Sequence, residues 1–338
     1  MKKMKYMKYF AALALAALCL FACKKDKDTD LPSLNGSLSI SLPGYFYPGD
    51  QVYVCPSGVY KKNAADTLLT VSCFNSIKGK SDTLRRQGEP EGAMVPYIYT
   101  LPDTLGYFYL SFTVAAKGYT SKYSSVYFYI VDSTLNSGSL AGYKLLGAGS
   151  MTDPRDGRTY PTITAGSTEW MMTNLAWEGA GVPYQNARAA SRIFGRYYTW
   201  TEASGTICPE GWHLPSDSDW IALAEAAGAT SVTSPADIPD AAGLLMGNIS
   251  FNGSAMWAFA KDVRITDALS FSAIPVGYAR SDGDSYGFFD YGKYACFWTA
   301  DERDENMAIA RYIFWDKPAL SAAAMPKEGL AASVRCIK

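Results

Sequence analysis

The residues able to carry chemistry in this chain are few and far apart. Its 338 residues include one histidine, His213, and seven cysteines. A single imidazole excludes a His-rich zinc site and argues against a Ser-His-Asp triad. The cysteines stand at positions 19, 23, 55, 73, 208, 296 and 336, with no two at C-x-x-C spacing, so no thioredoxin-like centre is expected. The neighbouring carboxylates Asp301-Glu302 and Asp304-Glu305 read as a solvated acidic turn. Asp282, Asp284 and Asp290, in a Gly/Ser loop, offer oxygen atoms together with Asp301, Asp304 and Asn306. A calcium site would need six to eight such atoms converging. The spacing Asp282-Gly-Asp284 is common in surface loops, so no metal and no cofactor are expected. Aromatic rings beside carboxylates suit sugars, which stack on the ring and hydrogen-bond to the acid. Tyr278, Tyr286, Tyr291, Tyr294, Trp298 and Trp315 lie near polar loop residues. Tyr286 and Tyr291 are expected to be exposed and, with Asp282 and Asp284, form the candidate ligand-binding set. His213, between Trp212 and Leu214, reads as a packed or hydrogen-bonded structural residue.

Cys23 has a different role. It ends the apolar run Phe10–Ala22, which follows Lys2, Lys3, Lys5 and Lys8. The run is too short to span a hydrocarbon core of about 30 Å, so residues 1–22 read as an export signal. Leu20-Phe21-Ala22-Cys23 resembles a bacterial lipobox, in which the cysteine is acylated and becomes the first mature residue. Lys24-Lys25-Asp26-Lys27-Asp28 resembles the charged stretch after the lipidated cysteine in surface lipoproteins of Bacteroidetes-type bacteria. These resemblances imply an outer-membrane lipoprotein held by a lipid on Cys23 and exposed at the cell surface. Losing four lysines with the signal moves the net charge from −1 to −5, and so weakly acidic a chain is not expected to bind nucleic acid.

The elements that must position these residues fall into two parts. Residues 23–35 are polar and read as a tether. From 36 to 132 hydrophobicity alternates with period two, over Ser37–Leu42, Gln51–Val54, Thr67–Phe74, Val95–Thr100, Gly106–Ala116 and Ser124–Val131. Six short strands divided by turn signals predict an antiparallel all-β sandwich. The segment resembles the Ig-like or polycystic-kidney-disease-type modules that bacteria place before a functional domain. Cys55 and Cys73 lie within it, and the pattern leaves open whether they are bridged. Residues 133–142 are small and read as a linker. Beyond Tyr143 all eight tryptophans appear. Ser216, Asp217, Asp219 and Gly228 bound a helix whose Trp220, Leu223, Ala224 and Ala227 form one apolar stripe. A second helix is predicted over Ile238–Met246, with Gly243 weakening it. Short strands are predicted at Phe271–Ile274, Phe288–Phe289, Cys296–Thr299, Ala308–Phe314 and Ala332–Ile337, giving an α+β texture.

Six blocks in this part occur in a recognisable order: Asp153–Tyr160, Glu169–Leu175, Gly195–Trp200, Ile207–Pro215, Phe271–Tyr278 with Phe297–Ala300, and Ser333–Lys338. Together they resemble the Fibrobacter succinogenes major paralogous domain, over about residues 147–338, in a domain taken as 143–338. That family is similar to C-type-lectin-like and sulfatase-modifying-factor architectures. The resemblance implies a compact α+β C-type-lectin-like domain whose two ends meet, with Cys208 and Cys336 as disulfide partners and Cys296 as a buried odd thiol. It implies that Trp200, Trp212 and Trp298 build the core. The close cysteine pair of formylglycine-generating relatives is absent, as are the Glu-Pro-Asn and Trp-Asn-Asp calcium sets of lectins. The expected function is therefore non-enzymatic recognition of a polysaccharide or a protein at the cell surface. The alternative is a structural or assembly component of an appendage or envelope complex, and an enzyme of the sulfatase-modifying type ranks third because the cysteine pair is missing.

Overall fold

A computed structural model of the chain describes residues 31–60, 69–86, 96–131, 140–142, 149–230, 235–251, 253–283 and 285–338. The signal, Cys23, the tether up to residue 30, most of the linker, and Asp284 lie outside the described residues. The protein is β-rich and multi-domain, with several separate sheets.

The N-terminal part contains β1 (Asn35–Ser39), β2 (Tyr45–Phe46), β3 (Gln51–Val54), β4 (Ser57–Tyr60), β5 (Thr70–Asn75), β6 (Lys80–Arg85), β7 (Tyr97–Thr100), β8 (Gly106–Ala115) and β9 (Lys122–Ile130). One sheet runs in the order β2-β9-β8-β5-β6, and β3 pairs with β7 and β1 with β4. Period two decides which side chains go inward. Leu110, Phe112 and Val114 of β8 are buried and alternate with partly open neighbours. Leu110 and Phe112 meet Val52, Val54, Cys73, Tyr97 and Phe128 in one core.

Several expectations need correction here. The tether ends before residue 35: Leu34 is buried against Leu69, Val71 and Val114, because an apolar side chain beside an open core slot is more stable inside it. Cys55 and Cys73 are both free thiols, Cys73 buried and Cys55 exposed. Cys55 follows the inward-facing Val54, so its side chain points to water. Strands β2, β4 and β6 were not expected. β2 is two residues long, and β6, Lys-Ser-Asp-Thr-Leu-Arg, is a polar edge strand whose alternation is weak.

Among its described residues the C-terminal part packs four sheets, three of them large, and four short α-helices. A meander joins Gly149–Thr152, Thr159–Ala165 and Thr168–Met171. A five-stranded sheet runs Val182–Pro183, Arg196–Thr199, Leu330–Ala332, Tyr278–Asp282 and Ser285–Phe289. A third runs Tyr294–Glu302, Met307–Phe314 and Leu320–Pro326. The helix Asp217–Ala226 forms where the capping signals place it. Ser216 accepts from the Asp219 amide, and the Asp219 carboxylate accepts from Ser216 in return. Trp220 is fully buried, edge-on to Trp170 at 5.1 Å and close to Phe297 at 5.0 Å.

The second helix is far shorter than expected, spanning Ala242–Leu245. Ile238 instead bridges Leu320, and Asp240 takes a positive φ of 57° that ends any helix before it. Gly243 is there for space: a β-carbon on it would lie 2.2 Å from the Arg264 carbonyl oxygen. Phe271–Ile274 and residues 333–337 form only isolated bridges, not strands.

The two parts are joined by an aromatic cluster. Tyr45 of β2 stacks on Tyr129 at 5.4 Å and meets Phe194 edge-on at 5.6 Å and Phe251 at 6.0 Å. The Tyr47 hydroxyl donates to the Ala189 carbonyl at 3.2 Å. The end of the expected linker is itself a strand, Leu140–Ala141, paired with Ser250–Phe251.

Inside the C-terminal core, Arg311 and Asp217 form a bidentate ion pair at 2.6 and 2.8 Å, with both side chains almost wholly excluded from solvent. It ties the first turn of the Asp217–Ala226 helix to the centre of the third sheet. Removing one buried partner strands the other charge in the core. Asp217→Ala should therefore lower unfolding free energy by about 3–5 kcal/mol in urea titration. The apolar double variant Asp217→Leu/Arg311→Met should recover most of that loss.

Candidate functional site

The site is built around a disulfide. Cys208 and Cys336 are bonded, with Cα atoms 5.8 Å apart and a sequence separation of 128. Closing so long a loop stabilises the fold by about 5 kcal/mol in the chain-entropy account. Around the half-buried Cys208 end lies an open depression of about 770 Å³. Arg155, Trp177, Glu210, Trp212 and His213 supply its polar and aromatic walls, and Ala300 and Leu214 also line it.

Arg155 sets the shape of one wall. It follows Asp153, which is buried at the end of the Gly149–Thr152 strand. Its Nε and Nη2 reach the Asp153 carboxylate at 2.9 and 2.7 Å, and Nη1 donates to the Ile207 carbonyl at 2.9 Å. The Asp-Pro-Arg-Asp-Gly block thus becomes a clamp on the segment before the disulfide. The guanidinium lies 4.2 Å from the Trp177 ring centroid, a cation–π contact. Trp177 folds over Gly179, where a β-carbon would sit 2.2 Å from the ring. Burial alone would raise the Asp153 carboxyl, but the hydrogen bonds and charge of Arg155 outweigh it and hold that group below its usual value of 3.8.

The opposite wall comes from the Ile207–Pro215 block. Trp212 is half-buried, and its amide donates to the Pro209 carbonyl at 2.9 Å, closing a turn. His213 pairs through its backbone with Ile337, while its side chain is exposed. The expectation of a packed imidazole is thereby corrected: the backbone pairing fixes the residue and turns the ring outward. Trp212 likewise is a wall of the depression, whereas Trp200 and Trp298 are buried. Their indole nitrogens donate to the carbonyls of Thr299 and Tyr198 at 2.9 and 2.8 Å.

The residues singled out in the sequence lie elsewhere. Tyr291 is half-buried and stacks on Tyr184 at 5.0 Å within the cluster between the two parts of the chain. Its expected exposure is corrected: the ring fills space left open between Tyr184 and Phe194, and burial raises its hydroxyl well above the usual value. Tyr286 is also half-buried and packs on the same cluster. Asp282 ends the Tyr278–Asp282 strand beside Ser285, and Asp284 lies outside the described residues. Asp301 accepts from the Asp217 amide at 2.5 Å, and Asp304 accepts from the Asn306 and Met307 amides at 3.0 and 2.9 Å. Asp304 thus closes its own turn, whereas Asp301 serves the first turn of the Asp217–Ala226 helix. Among the described residues no group of three or more His, Cys, Asp and Glu side chains is placed to hold a metal ion. No sequence signal marked the depression as such, although three of the six ordered blocks supply its walls.

The remaining thiols are buried at 73 and 296, where desolvation pushes each up to about 12. Thiolates are the reactive species. Iodoacetamide at neutral pH should therefore label Cys55 and spare Cys73 and Cys296 until the chain is unfolded, as read by peptide mass spectrometry.

Asp153 supplies a pH dependence. A carboxyl whose folded value is depressed contributes stability that is present above its unfolded value and is lost as pH falls through the folded one. Asp153→Asn should be less stable than the parent near neutrality, and the gap should close below about pH 4, measured as urea midpoints across that range.

Residues 150–338 match the sequence model of the Fibrobacter succinogenes major domain family. No curated protein and no solved structure matches the chain. The match covers more than half of the sequence, and the chain belongs to that family.

Proposed function

We propose that this member of the Fibrobacter succinogenes major domain family is a non-enzymatic recognition protein of the cell envelope. In this reading a lipid on Cys23 holds it to the outer membrane, facing outward. The N-terminal part is an Ig-like sandwich acting as a spacer, and the C-terminal part is a C-type-lectin-like head. The ligand is a polysaccharide segment or a protein loop that enters the depression beside Cys208–Cys336.

The observation that carries the reading is the wall composition. Trp212 offers an aromatic surface, and the exposed Glu210 and His213 offer a carboxylate and an imidazole, beside the Arg155 guanidinium. An open site with an aromatic anchor and a few converging polar groups suits binding. The His213 imidazole has no hydrogen-bond partner among the described residues that would orient it as a base. A sulfatase-modifying activity gains no support, since Cys336 is tied to Cys208 and the Cys296 thiol is buried.

The alternative is a structural or assembly component of a surface appendage or envelope complex. The aromatic joint centred on Tyr45 favours it in one respect, because a stiff two-part body transmits load well. A glycan array probed with the full chain separates the two. Binding that Trp212→Ala lowers by about tenfold, roughly the worth of one aromatic contact, supports recognition. A silent array together with co-purification of envelope proteins supports assembly instead.

A further inference from the structure

The outer face of the five-stranded N-terminal sheet has an unusual composition. The register pairs Tyr107 with Tyr129, Tyr109 with Tyr127, Ser111 with Ser125 and Thr113 with Tyr123 across β8 and β9. The neighbouring β5 adds Phe74 beside Ser111 and Ser72 beside Thr113. These side chains share one face, because their partners at 108, 110 and 112 point into the core. Tyr107, Tyr109, Tyr123 and Tyr127 are 56, 37, 80 and 51% exposed. No Asp, Glu, Lys or Arg occupies an outward position in these registers.

The rings form a continuous row. Phe251 of the C-terminal part meets Tyr129 at 5.3 Å, and Tyr129 meets Tyr107 at 4.7 Å. Tyr107 lies near-parallel to Tyr127 at 5.7 Å, Tyr127 meets Tyr109 at 5.7 Å, and Tyr109 meets Phe74 at 5.9 Å. The row therefore begins in the joint between the two parts and runs out onto open surface. The Ser125 hydroxyl donates to Ser111 at 3.0 Å beside it.

Cross-strand tyrosines stabilise a sheet, but a sheet does not need them to stand in water. Exposed contiguous aromatic area on a soluble body marks an interaction surface. The chemistry narrows the partner. With no cation among the described outward positions of β5, β8 and β9, a phosphate-bearing ligand such as a nucleic acid or an anionic membrane gains nothing there. A charge-poor aromatic face also suits a protein partner, which self-association of the chain would reveal, but the hydroxyls interleaved with these rings favour a sugar. Rings alternating with hydroxyls match a sugar, whose C–H faces stack and whose rim hydrogen-bonds. Tyr supplies both at little entropic cost, having only two side-chain torsions to fix. We infer that the row Phe74–Tyr109–Tyr127–Tyr107 is a docking surface for an uncharged, extended polysaccharide. The inference is independent of the depression beside Cys208–Cys336.

The test is co-sedimentation of the full chain with insoluble cellulose, chitin and mixed-linkage β-glucan. The expected result is retention on at least one of them, unchanged by salt. Tyr109→Thr/Tyr127→Thr should weaken it by about tenfold or more, as expected for two lost aromatic contacts, while the melting temperature falls by only a few degrees, the worth of one cross-strand pair. Threonine keeps strand propensity, and Tyr109→Phe/Tyr127→Phe, which keeps the rings, should stay within about threefold. Trp212→Ala should leave this binding intact, which separates it from ligand capture by the head. Absence of retention on all three polymers overturns the inference. So does retention that follows Trp212 and not the tyrosines, or a parent dimer that the threonine pair converts to monomer.

Discussion

The C-terminal part is organised around its own last six residues. Ser333 bridges Phe297, and its amide donates to the Cys296 carbonyl at 3.0 Å. Arg335 is wholly buried, stacked 4.1 Å from Phe271, and bonds Asn174 together with the carbonyls of Phe271 and Ser272. Cys336 carries the disulfide, Ile337 pairs with both Trp170 and His213, and Lys338 pairs with Glu169. A guanidinium in a protein interior is tolerable only when its donors are satisfied. The loop Asp267–Ser272 accordingly bends around it, with Asp267, Ser270 and Ser272 at φ of 47°, 61° and 56°. Each of those backbones is held outside its preferred region by the surrounding bonds. The tail is thus the piece against which the Glu169–Leu175 segment, the third sheet and the disulfide segment are all registered.

The same arrangement explains why the depression lies where it does. Its floor is the outer end of the disulfide, and its walls are the two segments that the tail and Arg155 fix on either side. Neither wall depends on a long free loop. Trp177 is held between a guanidinium and a glycine backbone, and Trp212 sits in a turn closed by its own amide. A binding surface built from held side chains loses less entropy when a ligand arrives. The aromatic cluster around Tyr45 packs the N-terminal sheet against the C-terminal part, and the tyrosine row begins at that contact.

The local signals in the sequence were read correctly where structure is local. The Ser216 cap and the apolar stripe at Trp220, Leu223 and Ala224 defined a helix without help from the rest of the chain. Period-two runs gave β3, β5, β7, β8 and β9 with small errors at their ends. Signals failed where an element owes its existence to a distant partner. Tyr45–Phe46 is a strand because Tyr129–Ile130 runs beside it. Ile238–Met246 is mostly not a helix because Leu320 claims Ile238 and Asp240 turns the chain with a positive φ. Tyr291 sits in a loop of Gly, Asp and Lys, which suggested exposure, yet a gap between Tyr184 and Phe194 takes it in.

By itself the sequence determined the inventory: one histidine, no close cysteine pair, a β-rich first half, and an ordered set of blocks that mark the family over residues 150–338. These are properties of residue type and short spacing, and they survive without coordinates. Tertiary structure alone decided which blocks face water. The Asp153, Ile207 and Ser333 blocks meet at the disulfide although more than 40 residues separate each from the next. The two parts of the chain meet through rings that their sequences treat as ordinary strand and loop residues. Exposure is a property of what else arrives at a site, and no local pattern encodes that arrival.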